Sequence, residues 1–107
     1  MPRTDKKKQP IEFKGTTLPI VTVTLRSLHP EALSAAASAL FGDDPFFDGD
    51  AALLELSQLD RQGNERAADW ALIKQIFATH GLHVVGVRSA SDELRQSAAN
   101  AGLPCFA

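Results

Sequence analysis

Between residues 19 and 57 the hydrophobic period changes twice, and this constrains the fold more than any single motif. PIVTVTLR (19–26) alternates apolar and polar side chains, the period of a half-buried strand. HPEALSAAASALF (29–41) moves to helical spacing, which predicts one apolar face carrying Leu33, Ala36, Ala37, Leu40 and Phe41. Pro30 suits the first helical turn, Glu31 suits the positive end of the helix dipole, and Gly42 stops the helix. AALLELS (51–57) then returns to a short apolar run of strand length. A strand–helix–strand order lays its two strands parallel, through a right-handed crossover.

The same alternation continues to the end of the chain. SQLDRQGNE (57–65) is loop chemistry, and ERAADWALIKQIFATH (65–80) predicts the longest helix. Leu72, Ile73, Ile76 and Phe77 are expected to face inward there, with Trp70 at the core edge and Gly81 as the stop. LHVVGVR (82–88) predicts a strand, Ser91 caps a third helix that Gly102 ends, and LPCF (103–106) predicts a short closing strand. Upstream, IEFK (11–14) has strand period and GTT follows it. These residues predict an antiparallel hairpin with 19–26, in which Gly15 takes a positive φ. The expectation is therefore an α/β (α+β) fold in one small domain of order ββαβαβαβ, a mixed, mostly parallel five-stranded sheet with three helices.

Composition narrows the function. A chain of 107 residues with 44% hydrophobic and 22% charged residues can bury a core, so a disordered chain is excluded. The formal net charge of -2 supplies no global field for nucleic acid or anionic lipid. Arg3, Lys6, Lys7 and Lys8 crowd residues 1–10 and read as a solvated basic leader ahead of a domain over 11–107. No apolar run follows them as a secretory signal requires, and no stretch has the length of a membrane span. The single cysteine, Cys105, sits among apolar neighbours, which predicts a buried inert thiol in a reducing compartment. The chain reads as cytoplasmic.

Motifs for chemistry are missing. Neither GxxxxGK[ST] nor GxGxxG occurs, so no nucleotide cofactor is predicted. His29, His80 and His83 lack metal-type spacing and read as solvated or capping histidines. Asp43, Asp44, Asp48 and Asp50 lack the spacing and the closing Glu of a calcium loop. The expectation is no metal, no cofactor and no catalytic set, which favours a binding module over an enzyme.

Read together, IEFKGTTLPIVTV, PEAL, PFFDGDAALLELSQL, W-ALIKQIFATHGLHVVGVRSA and ASDELRQSAANAGLPCF resemble the N-terminal domain of the MinC family of bacterial division-site inhibitors. The likeness runs collinearly over nearly all of residues 11–107, and it is the string rather than any one motif that is specific. The resemblance implies a non-enzymatic domain that contacts the tubulin-like protein FtsZ and antagonises its assembly, so that no septum forms away from midcell. In the family a separate C-terminal β-helical domain dimerises and binds MinD, which recruits the protein to the inner membrane. The chain stops after GLPCFA, before any such domain, so the expectation is that it does not bind MinD by itself.

The family residues implicated in inhibition carry over one by one. The Lys-Gly after the first strand falls on Lys14 and Gly15. The phenylalanine after a proline in the loop before the next crossover strand falls on Phe46, with Phe47 at an apolar position beside it. The four aspartates around that pair depart from the family pattern. Lys14 would offer a long amphipathic arm to an acidic partner, and Gly15 would shape the turn that presents it. Strand alternation back from Leu54 and Ala52 allows at most one of Phe46 and Phe47 inward, so one ring is expected to seal the core and the other to stay exposed.

Two other readings compete. The order and LLELSQLDRQGN also resemble STAS-type regulatory domains, whose phosphoacceptor Ser follows an Asp-rich turn. Here Asp60-Arg61-Gln62-Gly63-Asn64 has no Ser or Thr, and Ser57 comes too early. An open α/β sheet can also hold a small-molecule crevice at the carboxyl ends of its strands, where Ser57, Arg88 and Ser89 fall. An N-terminal hairpin behind a charged leader can, in addition, exchange between two copies of the chain.

Overall fold

A computed structural model describes residues 10–42, 46–59 and 68–106. Within them the order is β1 (Ile20–Thr24), α1 (Pro30–Phe41), β2 (Asp50–Glu55), α2 (Trp70–Thr79), β3 (Leu82–Arg88), α3 (Asp92–Asn100) and β4 (Cys105–Phe106). The strands form one sheet in chain order, and every pair is parallel. The small α/β domain with three helices is the architecture read from the period changes.

Each inward row follows from that period. Ala52, Leu54 and Leu56 of β2 and its continuation, with Leu82, Val84 and Val87 of β3, are buried under the helices. Ile20, Val85 and Phe106 are exposed, as the other face of a two-layer domain requires. The register of β2 against β3 skips Val85, pairing Ala52 with Val84 and Leu53 with Gly86. This bulge changes the parity of β3, so that Val87 points inward although it is an odd number of residues from Val84. Gly86 is needed there for space: a Cβ on it would stand 2.3 Å from the Phe106 ring.

The fifth strand and its hairpin are a correction. Residues 11–19 form no regular element and are exposed throughout, Phe13 at 96%. Gly15 has no positive φ and nothing within 4 Å of where its Cβ would be. Pro19 supplies the physical reason: it biases Leu18 toward extended backbone and offers no N–H, so the chain runs on where a tight turn would have to close. Among the described residues the sheet is thus wholly parallel and four-stranded, with β1 at an edge.

Helix boundaries and faces also sharpen. The first part of the helix expected over 65–80 falls on residues outside those described. The observed helix starts at Trp70 because the Asp69 carboxylate accepts the Leu72 N–H at 3.1 Å. Trp70 is a core residue, 3% exposed, rather than an edge one; its Nε1–H donates to Ser97 Oγ at 2.8 Å and ties α2 to α3. In α1 the buried stripe runs through Leu33 and Ala37, and Leu40 is exposed. Leu40 lies on the same side as Leu33 and Ala37 but in the last turn, where the helix runs past the core. Leu72 is one position, about 100°, from buried Ile73 and is partly exposed. Ser91 caps α3 as expected, accepting the Leu94 N–H at 3.3 Å.

Candidate functional site

Parallel strands enter the sheet from one end, and the segments feeding β2 and β3 meet there. Lys14 and Gly15 lie in the exposed segment that leads into β1. Phe46 and Phe47 lie in the segment that leads into β2, and His80–Gly81 is the turn that leads into β3. Neither Lys14 nor Gly15 is held by a regular element, whereas the Phe46–Gly49 segment is firmly tied. The His80 carbonyl accepts the N–H groups of Phe46 at 3.1 Å and Phe47 at 2.9 Å, and the Gly81 carbonyl accepts that of Gly49 at 2.9 Å.

The two rings divide as expected. Phe47 is half-buried and packs on the core, while Phe46 is 64% exposed. Phe41 at the end of α1 contacts both, with ring centroids 5.4 Å from Phe46 and 5.3 Å from Phe47. Phe46 and Phe47 meet edge-on at 5.0 Å, and the His80 ring lies 5.4 Å from Phe41. Such aromatic pairs add about 0.5–1.5 kcal/mol beyond their buried area, enough to fix the exposed ring's direction.

Of the two readings given for His80, solvated or capping, the structure supports the second: it stands at the C-cap of α2 and is not solvated. It is 4% exposed, and its Nδ1 has no hydrogen-bond partner among the described residues. A histidine directly before a helix-stopping glycine, behind the apolar stripe Ile73–Phe77, carried the signal that would have placed it inside. His29 and His83 are exposed. Cys105 is half-buried rather than buried.

The opposite end of the sheet holds the residues named for a small-molecule crevice. Ser57, Arg88 and Ser89 do converge, and what they share is Glu55. The Ser57 N–H donates to Glu55 Oε2 at 3.3 Å, and Arg88 Nε stands 3.9 Å from Glu55 Oε1. Hydrogen bonds from Ser89 and then Ser57 hold the Glu55 carboxyl below its ordinary range, with Arg88 adding the least. The cluster is a carboxylate kept ionised, not a group raised for proton transfer. Ser89 itself carries a φ of 59°, a conformation uncommon outside glycine. Among the described residues no His/Cys/Asp/Glu group could hold a metal, and no helix is long and apolar enough to cross a membrane. The Asp60–Asn64 turn weighed for phosphoacceptance lies outside the described residues.

Fold and site together define a small parallel α/β domain that presents a braced aromatic group at the amino edge of its sheet. The chain belongs to the family described as septum formation inhibitor MinC, N-terminal domain, which matches residues 11–84. It is 33% identical over 96 residues to a probable septum site-determining protein MinC of Edwardsiella ictaluri, an alignment covering 89% of this chain and 41% of the relative. The likeness to the protein of the same name in Pectobacterium carotovorum is 32% over 97 residues, covering 89% and 40%. In Cronobacter sakazakii it is 30% over 95 residues, covering 88% and 40%. The chain spans about two-fifths of the length of the curated relatives it matches.

Proposed function

We propose that this domain inhibits septum formation by binding FtsZ and antagonising its polymer assembly, with Phe46 as the principal contact. The observation that carries this reading is an exposed phenylalanine braced by two backbone hydrogen bonds and two aromatic neighbours, in a chain of the MinC N-terminal family. An aromatic ring whose position is already fixed loses little entropy on binding, the property shared by interface anchors. Phe47 holds the loop from inside. Lys14 and Gly15 precede β1 on an exposed segment and supply a cationic arm at the rim of the contact, where charge steers encounter more than it adds affinity.

The remaining family properties are placed accordingly. Residues 11–107 act as the inhibitory domain behind the basic leader of residues 1–10. MinD and, through it, the inner membrane are engaged by the relatives' C-terminal portion, so the domain on its own is cytoplasmic and does not co-sediment with MinD on lipid vesicles. Two copies of the chain can pair through β1: the open strand edge, with the exposed Ile11, Phe13 and Leu18 on the segment before it, gives each copy a place to dock the other's segment. Sedimentation of FtsZ with GTP, with and without the chain, tests the inhibitory function.

A further inference from the structure

We infer that Gly81 is a positioning residue for the partner contact, acting through Phe46 without touching the partner itself. The inference rests on the reading of Phe46 as an FtsZ contact and adds a residue on another element to that site. Gly81 has a φ of 89°, and a Cβ built on it would stand only 1.9 Å from the carbonyl oxygen of Phe47 and 2.6 Å from the carbonyl carbon. Both are backbone atoms, so no side-chain rotation relieves the clash; the loop itself must move. The same turn supplies the acceptors for the amides of Phe46, Phe47 and Gly49, with bonds of 2.9–3.1 Å. Moving the loop off Gly81 therefore breaks the hydrogen bonds that aim the Phe46 ring. No sequence motif marks this coupling, because it joins two segments more than thirty residues apart that meet only at the sheet edge.

Gly102 provides a matched control within the same chain. It also follows a helix, its φ is 86°, and nothing lies within 4 Å of its Cβ position. Gly81→Ala and Gly102→Ala thus impose a similar backbone cost, while only the first presses on the Phe46 loop. Binding of each variant of the full chain to FtsZ, measured by titration at a temperature where circular dichroism shows all of them folded, separates the roles. Phe46→Ala and Gly81→Ala are each expected to weaken binding about tenfold or more, as loss of an interface anchor does. Gly102→Ala is expected to stay within about twofold, a change of under half a kcal/mol in binding. The double variant Phe46→Ala/Gly81→Ala is expected to bind no more weakly than Phe46→Ala, because the glycine acts through the ring.

Unchanged binding in Phe46→Ala overturns the reading of Phe46 itself. Weakened binding in Phe46→Ala with unchanged binding in Gly81→Ala overturns only the positioning role, as does equal weakening in Gly81→Ala and Gly102→Ala. If Gly81→Ala does not fold, amide hydrogen exchange on the unaltered chain decides. Protection of the Phe46 and Phe47 amides supports the inference, and exchange at the solvent rate overturns it.

Discussion

Ile20 of β1 and Ala51 of β2 are partners in a parallel register, so both strands begin at the same end of the sheet. The segment leading into β1 carries Lys14 and Gly15, and that leading into β2 carries Phe46 and Phe47. The phenylalanine pair is braced by the turn before β3, while the Lys14 segment is exposed along its whole length.

The two rings should separate in stability. Phe46→Ala, at an exposed position but in contact with Phe41 and Phe47, is expected to cost about 1 kcal/mol. Phe47→Ala, half-buried against the core, should cost about 2 kcal/mol, below the ~3–5 kcal/mol of a fully buried phenylalanine. Urea unfolding of both variants checks this.

The Trp70–Ser97 hydrogen bond should couple α2 to α3. Ser97→Ala leaves the indole N–H unpaired in the core and is expected to cost about 1–2 kcal/mol. Trp70→Phe removes the donor along with part of the ring. The double variant should fall short of the sum of the single effects by about 1 kcal/mol, measured as a double-mutant cycle by denaturant unfolding.

Glu55 gives the pH dependence a sign. Its carboxyl titrates below its ordinary value of 4.5 in the folded chain, first because of Ser89 and then Ser57. A carboxylate lowered on folding adds stability that is fully present above its unfolded pKa. That stability is lost as pH falls through the lower folded value. Ser89→Ala should therefore move the Glu55 midpoint upward more than Arg88→Gln does, read from carboxyl carbon shifts in an NMR titration. A larger effect from Arg88→Gln would reverse the assignment of causes.

Phe13 tests how copies associate. At 96% exposure in the single chain, Phe13→Ser should leave dilute-solution stability within about 0.5 kcal/mol. At high concentration the same change should lower the dimer fraction seen by light scattering after size exclusion. A large stability loss in dilute solution would instead place residues 11–14 on the sheet of their own chain.

How much of this was legible follows from what each signal depends on. The strand–helix alternation was readable because periodicity is local, and it gave the three helices and four of the strands. The strand expected at IEFK was not settled by period, since a strand exists only where an edge accepts it, and Pro19 disfavours the turn that would deliver it. The start of α2 was written in Asp69, a capping residue directly before the apolar stripe, but Glu65 and Arg66 extended the helical reading past it. The burial of Trp70 and His80 depends on α3 and α1, elements that sequence spacing does not place. That only one of Phe46 and Phe47 faces inward was legible, but not which: strict alternation back from Ala52 would turn Phe46 inward, whereas Phe47 is the half-buried ring, because the brace from His80 and Gly81 arises only when β3 is set beside β2.

The central claim is that Phe46 contacts FtsZ, and sedimentation of FtsZ polymers with GTP tests it most directly. The unaltered chain is predicted to lower pelleted polymer or shorten the filaments, and Phe46→Ala, equally folded, is predicted to lose that effect. Undiminished inhibition by Phe46→Ala, or no effect of the unaltered chain at high excess, would contradict it.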